Sequence, residues 1–237
     1  MEWSHDMNTK QLPFSCTGLV RLMLVMSLFT GCASFRSDLE SAYQGEVKRN
    51  PDTKPVSVVF VFSHVRQTLG LDAIPKLVAK QQNVSGFDEI LGDALPEISN
   101  LGSYATYTEE AADVNRPERR AVRDSLMRVS DYTIKIRIES TKRFTKHFLG
   151  ALASTVTATI LPVPYVKAYS LKAQVFDRKR LLLATYTRQA HLTKWVEALL
   201  VFAYPFYPEE RKREEIYMDF LHDTFRQIES EGVLVAK

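Results

Sequence analysis

Tyr132-Thr133-Ile134-Lys135-Ile136-Arg137-Ile138-Glu139 alternates apolar and polar side chains without a break. In an extended chain successive side chains point to opposite faces, so the even-numbered isoleucines share one face and Lys135, Arg137 and Glu139 share the other. The pattern predicts a strand that is buried on one side and wet on the other. Such a strand needs neighbours along its edges and a cover over its dry face, so these eight residues already require a sheet with another layer packed on it.

Downstream, Tyr169, Leu171, Ala173 and Val175 repeat the alternation, as do Leu182, Ala184 and Tyr186 after the polar turn Asp177-Arg178-Lys179-Arg180. These two runs predict an antiparallel hairpin. At the C-terminus Pro208 and Glu209-Glu210 open a helix, Ile216, Phe220, Leu221, Phe225 and Ile228 line one of its faces, and Gly232 ends it. Upstream, Pro117 suits the first position of a helix, where its missing N–H costs nothing, and Glu118 lies near the positive end of the helix dipole. Arg116, Arg119, Arg120, Arg123 and Arg128 make this helix basic. A phosphate or headgroup site is one reading, and a solvated face beside acidic neighbours is the weightier one.

Further upstream, Ser103 to Thr108 has the composition of another strand. Phe87, Ile90, Leu91, Leu95 and Ile98 trace a helical face that Pro96 shortens, and Ile74, Leu77, Val78 and Gln81 trace a weaker one. Val56-Ser57-Val58-Val59-Phe60-Val61-Phe62 is nearly continuous in apolar character, which predicts a central strand covered on both faces. The expected fold is α+β: a mostly antiparallel sheet of about five strands, with helices packed on it, a C-terminal amphipathic helix and two apolar insertions. One domain is expected over 56–237.

The insertions are residues 148–166, which carry no charge, and 195–207, where Glu197 is the sole charge. Lys142, Arg143, Lys146 and His147 introduce the first, and each follows a strand, which predicts that both leave one edge of the domain. Aromatic clusters beside basic residues suit a headgroup interface. Phe148, Leu152, Trp195, Phe202, Tyr204, Phe206 and Tyr207 are therefore the candidate membrane or partner contacts. Two readings stay open, interfacial insertion and the weightier internal packing, with a membrane hairpin over 155–160 as a minor third. A single pass is disfavoured because Pro162 and Pro164 interrupt the run.

Near the start, Lys10 and Arg21 precede the apolar run Leu22 to Phe29, and Leu28-Phe29-Thr30-Gly31-Cys32 closes it. The motif resembles the lipobox of bacterial lipoproteins. The resemblance implies a leader over 1–31, removal of that leader, and Cys32 as the lipid-attachment site: its thiol joins diacylglycerol and its freed amine is acylated. Ala33 after the cysteine implies, for enteric-type bacteria, export to the outer membrane with the body facing the periplasm. Residues 32–55 are polar and read as a flexible, lipid-anchored tether.

Cys16 falls in the leader, so Cys32 is the sole cysteine of residues 32–237 and a disulfide there is excluded. A net charge of +3 over 237 residues is too mild to argue for nucleic acid. His64, His147, His191 and His222 lack ligand spacing, and the sequence contains no phosphate loop, nucleophile elbow or zinc-helix motif. Asp88, Glu89, Asp93 and Glu97 read as a solvated helix face. No catalytic residue, metal site or cofactor is expected.

The expectation is a non-catalytic outer-membrane lipoprotein, a periplasmic binding or assembly module in envelope biogenesis or transport. It is held to the membrane by its lipid, has an envelope protein partner, and is compatible with homo-oligomerisation. An envelope hydrolase with a site assembled from scattered residues, or a subunit of an oligomeric secretion pore, is the alternative. In element order alone the body is similar to the periplasmic domains of the curli-secretion lipoprotein, the penicillin-binding-protein activator lipoproteins and the N-terminal domain of the Tol-Pal propeller protein.

Overall fold

The computed structural model describes residues 31–46, 48–49, 53–69, 75–77, 86–143, 148–150, 152, 163–197, 206 and 208–235. The leader, the hairpin reading at 155–160, His147, Phe202, Tyr204 and Tyr207 lie outside the described residues.

The isoleucine run lies in the strand Tyr132–Arg143, with Ile134, Ile136 and Ile138 fully buried and Arg137 exposed. Counting strands in chain order, the described ones are β1 (Gly31–Arg36), β2 (Val56–Leu69), β3 (Pro75–Leu77), β4 (Leu101–Thr108), β5 (Tyr132–Arg143), β6 (Val163–Asp177) and β7 (Leu182–Glu197). The helices are α1 (Phe87–Ala94), α2 (Pro117–Val129) and α3 (Glu209–Ser230). After α1, Pro96 lies in a 3-10 turn over Leu95–Glu97, so the second predicted helix is short, as expected.

All seven strands form one sheet in the order β1-β7-β6-β5-β2. The outer edge of β2 is shared: β4 pairs along Val56 to Phe62 and β3 along Gln67 to Leu69. The predicted hairpin is β6 and β7, which are antiparallel. At its turn the Asp177 carboxylate accepts the Leu181 N–H at 2.9 Å, and Arg180 adopts φ 64°.

The sheet corrects the expectation of about five mostly antiparallel strands. It is mixed, because β2 runs parallel to both β4 and β5. Parallel neighbours need crossovers, and helices supply them: α1 lies between β2 and β4 in the chain, α2 between β4 and β5. The two helices pack on opposite faces. Phe60 and Phe62 of β2 belong to a core with α1 and α3, where the Phe62 and Phe87 rings stack at 3.7 Å. Val59 and Val61 face the other way, beside Leu126 and Met127 of α2. This is the double cover predicted for the strand at 56–62. The predicted face of α3 is also in place, since Ile216, Phe220, Leu221, Phe225 and Ile228 are fully buried.

Three local expectations are corrected. The weak helix over 74–81 is replaced at Pro75–Leu77 by β3, which takes backbone hydrogen bonds from the free end of β2; Pro75 fits there because an edge strand tolerates a missing N–H. The tether at 32–55 does not start free. Cys32 to Arg36 pair with β7, Ala33 and Ser34 are buried, and Glu40 bridges to Gln189. An unpaired β7 edge leaves a row of backbone donors and acceptors to satisfy, and β1 satisfies them whatever its side chains. The insertions are also shorter than read, since Val163 to Val166 begin β6 and Trp195 to Glu197 end β7.

Candidate functional site

The register sets two of the sequence-predicted site residues, Cys32 and Trp195, at one end of the sheet. Cys32 is opposite Val196, and Val196 is opposite Val163 on its other side. Trp195, half-buried, sits between Ala33 and Pro164. The chain leaves β5 and enters β6 at this end, and leaves β7 there too, so both insertions are attached at one end of the sheet. A helical turn at 148–150 lies on the start of β6, because a Cβ added to Gly150 would be 3.1 Å from both Val163 Cγ1 and Tyr165 Cε1.

The beginning of α3 is pinned to the same end. Glu209 accepts from Lys167 of β6 and, at 3.3 Å, from Lys194 of β7. Burial pushes the Glu209 carboxyl up, but its bonds and charge interactions with the two lysines outweigh that and hold it below its ordinary range. Phe206 stands just before this helix and is exposed, as are Phe148 and Leu152. Cys32 and Trp195 thus lie at the sheet end where α3 begins and where the 148–150 turn covers the start of β6, with the Trp195 side chain on the face away from α3, while Phe202, Tyr204 and Tyr207 lie outside the described residues. Sequence reasoning passed over Leu149, Phe35 and Val166, which are also exposed. Leu149 was legible as part of the uncharged run; Phe35 and Val166 are both opposite Thr193 in the register, on the sheet face away from α3.

Several polar groups elsewhere pair with one another within the fold. Tyr217 Oη and His64 Nε2 lie 3.1 Å apart in the core between sheet and α3, where burial raises the Tyr217 hydroxyl pKa strongly. His222 of α3 meets Glu97 at 2.9 Å and Asp93 at 3.3 Å, so two acids expected on a solvated face instead join α1 and its following turn to α3. His191 lies 3.3 Å from Glu40. On α2, Arg119 pairs with Glu110 and Asp113, and Arg123 with Glu109 and Asp124, the acid-paired face preferred on sequence grounds. Among the described residues no group of three or more His, Cys, Asp and Glu side chains is placed to hold a metal ion. Among those same residues no helix is long and apolar enough to cross a membrane, which says nothing of strands.

At the opposite end, around the β6–β7 turn, an open cleft of about 430 Å³ is lined by Lys54, Asp131, Tyr132, Asp177, Arg178 and Lys179. Its two carboxylates accept backbone N–H groups, Asp131 from Ser57 and Asp177 from Leu181. Lys54, Arg178 and Lys179 are exposed there, so this end presents cations to solvent.

No family model and no curated protein matches the chain. Among solved structures it is similar to the PelC dodecamer from Paraburkholderia phytofirmans, at 7% identity and a TM-score of 0.30, over 84% of this chain and 98% of that one. A point variant of that PelC dodecamer from the same organism gives 9% identity and a TM-score of 0.28, over 87% of this chain and 99% of that one. Similarity of this size carries no argument about what the present chain does.

Proposed function

We propose that this chain is a lipid-anchored lipoprotein of the bacterial outer membrane, whose folded body is a non-catalytic binding or assembly module facing the periplasm. The observation that carries the reading is Leu28-Phe29-Thr30-Gly31-Cys32 at the end of a short apolar run. In this reading residues 1–31 are removed and Cys32 becomes the acylated first residue. Burying acyl chains is worth about 0.8 kcal/mol per methylene, so an anchor of two or three chains is effectively permanent. The body behind the anchor acts through protein contacts, and its partner is another envelope component.

The test is the Cys32→Ser variant. The wild-type protein should incorporate labelled palmitate and accumulate as precursor under globomycin, whereas Cys32→Ser should take up no label and leave the membrane fraction or remain unprocessed. A wild-type protein that carries no lipid and retains residues 1–31 would overturn the proposal.

A further inference from the structure

We propose that the body is seated on the bilayer rather than suspended from it, with the Cys32 end of the sheet against the lipid and the β6–β7 turn pointing away. The inference rests on the lipid-anchor reading and adds to it an orientation and a contact surface.

A lipid on Cys32 is followed at once by Ala33 and Ser34, both buried in β1 against β7. One residue spans about 3.3 Å, less than the headgroup layer on either side of the hydrocarbon. An anchor with no slack brings whatever surrounds Cys32 into the interface.

Large apolar side chains surround that end. Phe148 is 56% exposed, Leu149 57%, Leu152 53% and Phe206 72%. These large apolar side chains come from two separate connections that open at the same sheet end, one over the start of β6 and one before α3. Apolar groups collected in one place mark a surface that is covered in the working molecule. The covalent lipid decides what covers it, since it holds the membrane next to these residues at all times. Lys142, exposed, places a cationic side chain behind the apolar tip, where anionic headgroups lie.

From Val163 to Asp177 the strand β6 runs about 45 Å at roughly 3.3 Å per residue, away from this end. The cleft with Lys54, Arg178 and Lys179 therefore stands well clear of the lipid, facing whatever the body binds.

The test uses the full-length protein, purified in detergent and reconstituted into vesicles of phosphatidylethanolamine and phosphatidylglycerol. Lipid consumes the Cys32 thiol, so a cysteine introduced by Leu149→Cys, Leu152→Cys or Phe206→Cys takes an environment-sensitive fluorophore alone, and Lys179→Cys reports the far end. Circular dichroism checks that each variant keeps the fold. The expected result is blue-shifted emission at 149, 152 and 206, quenched by lipids with a quencher on the acyl chain, and neither change at 179. Three outcomes overturn the proposal: no quenching anywhere, equal quenching at 179, or emission shielded from water yet untouched by the lipid quencher, which is the mark of a protein partner on this surface. Mass spectrometry of the same samples separates the two readings. A lipid-free Cys32 sinks the anchor reading and the seating that rests on it, whereas a lipidated Cys32 without quenching at 149, 152 and 206 keeps the anchor and overturns the seating alone.

Discussion

Asp223 on α3 gathers donors from two other parts of the chain. Arg188 of β7 donates through Nε, and the Tyr43 N–H donates to both carboxylate oxygens at 3.0 and 3.1 Å. The Arg188 side chain is only 4% exposed, and its further bonds go to the Gln227 side chain and, at 2.9 Å, to the Thr187 carbonyl, neither of them charged. Asp223→Ala therefore leaves a buried guanidinium without a counter-charge. Breaking a buried pair from one side costs about 3–5 kcal/mol, and the 17% exposure of Asp223 puts the expectation near the lower figure. Losing the Tyr43 bond adds about 1 kcal/mol. For a protein of this size about 4 kcal/mol lowers Tm by roughly 8–16 °C. The double variant Arg188→Leu with Asp223→Leu removes both charges and fills the space with apolar atoms, so it should recover most of the loss. Urea denaturation followed by circular dichroism ranks the three proteins. The reasoning fails if Asp223→Ala lies within about 1 kcal/mol of wild type, or if the double variant is less stable than the single one.

Two further outcomes follow from the same core and its edge. Phe220 is fully buried between α3 and the sheet, so Phe220→Ala should cost about 3–5 kcal/mol in the same assay, and a surface-sized change would remove α3 from the core. Asp131 accepts the Ser57 N–H and hydroxyl at 2.9 and 2.8 Å, and these bonds hold its carboxyl below the ordinary 3.8. A depressed folded-state pKa contributes stability that is complete above the ordinary value and is lost as pH falls through the folded one. Stability should thus drop on acidification below about pH 4, and Asp131→Asn should flatten that limb. Identical acid limbs in urea midpoints would show that the Ser57 bonds do not set the titration.

The parts of this fold that declared themselves in sequence are those whose side chains encode their surroundings. The alternation at Ile134, Ile136 and Ile138 marks a dry face, the unbroken run at Val58 to Phe62 marks two, and the spacing of Ile216, Phe220 and Phe225 marks a helix stripe. The parts that stayed hidden are held by backbone pairing to distant partners. Gly31 to Arg36 has no alternation and is a strand because β7 offers an open edge, and Pro75 to Leu77 is one because β2 outruns β4. The parallel orientation of β2 and β5 was equally silent, since direction depends on whether the connections cross over or return as hairpins, and that is decided by distant pairing. The site divides the same way. Cys32 is legible as a motif, whereas its place beside Val196 and Val163 is a matter of register, which no local pattern records.

Strand β1 also gives the chain an order of assembly. Strands β6 and β7 meet across a tight turn, whereas Ser57 and Asp131 find each other over 74 residues and the Ser37 hydroxyl meets the His191 N–H over 154. Short closures come first, because long loops cost more entropy before any contact repays it. A chain emerging from its N-terminus therefore carries residues 31–36 unpaired until β7 has been made, extended and open to enzymes. If Cys32 is processed and acylated, that interval is when its backbone is free, and pairing with β7 afterwards closes the last seam beside the lipid. Pulse-labelled hydrogen exchange during refolding should show β6–β7 amides protected before those of β1; simultaneous protection would mean the edge strand belongs to the folding nucleus and has no waiting period.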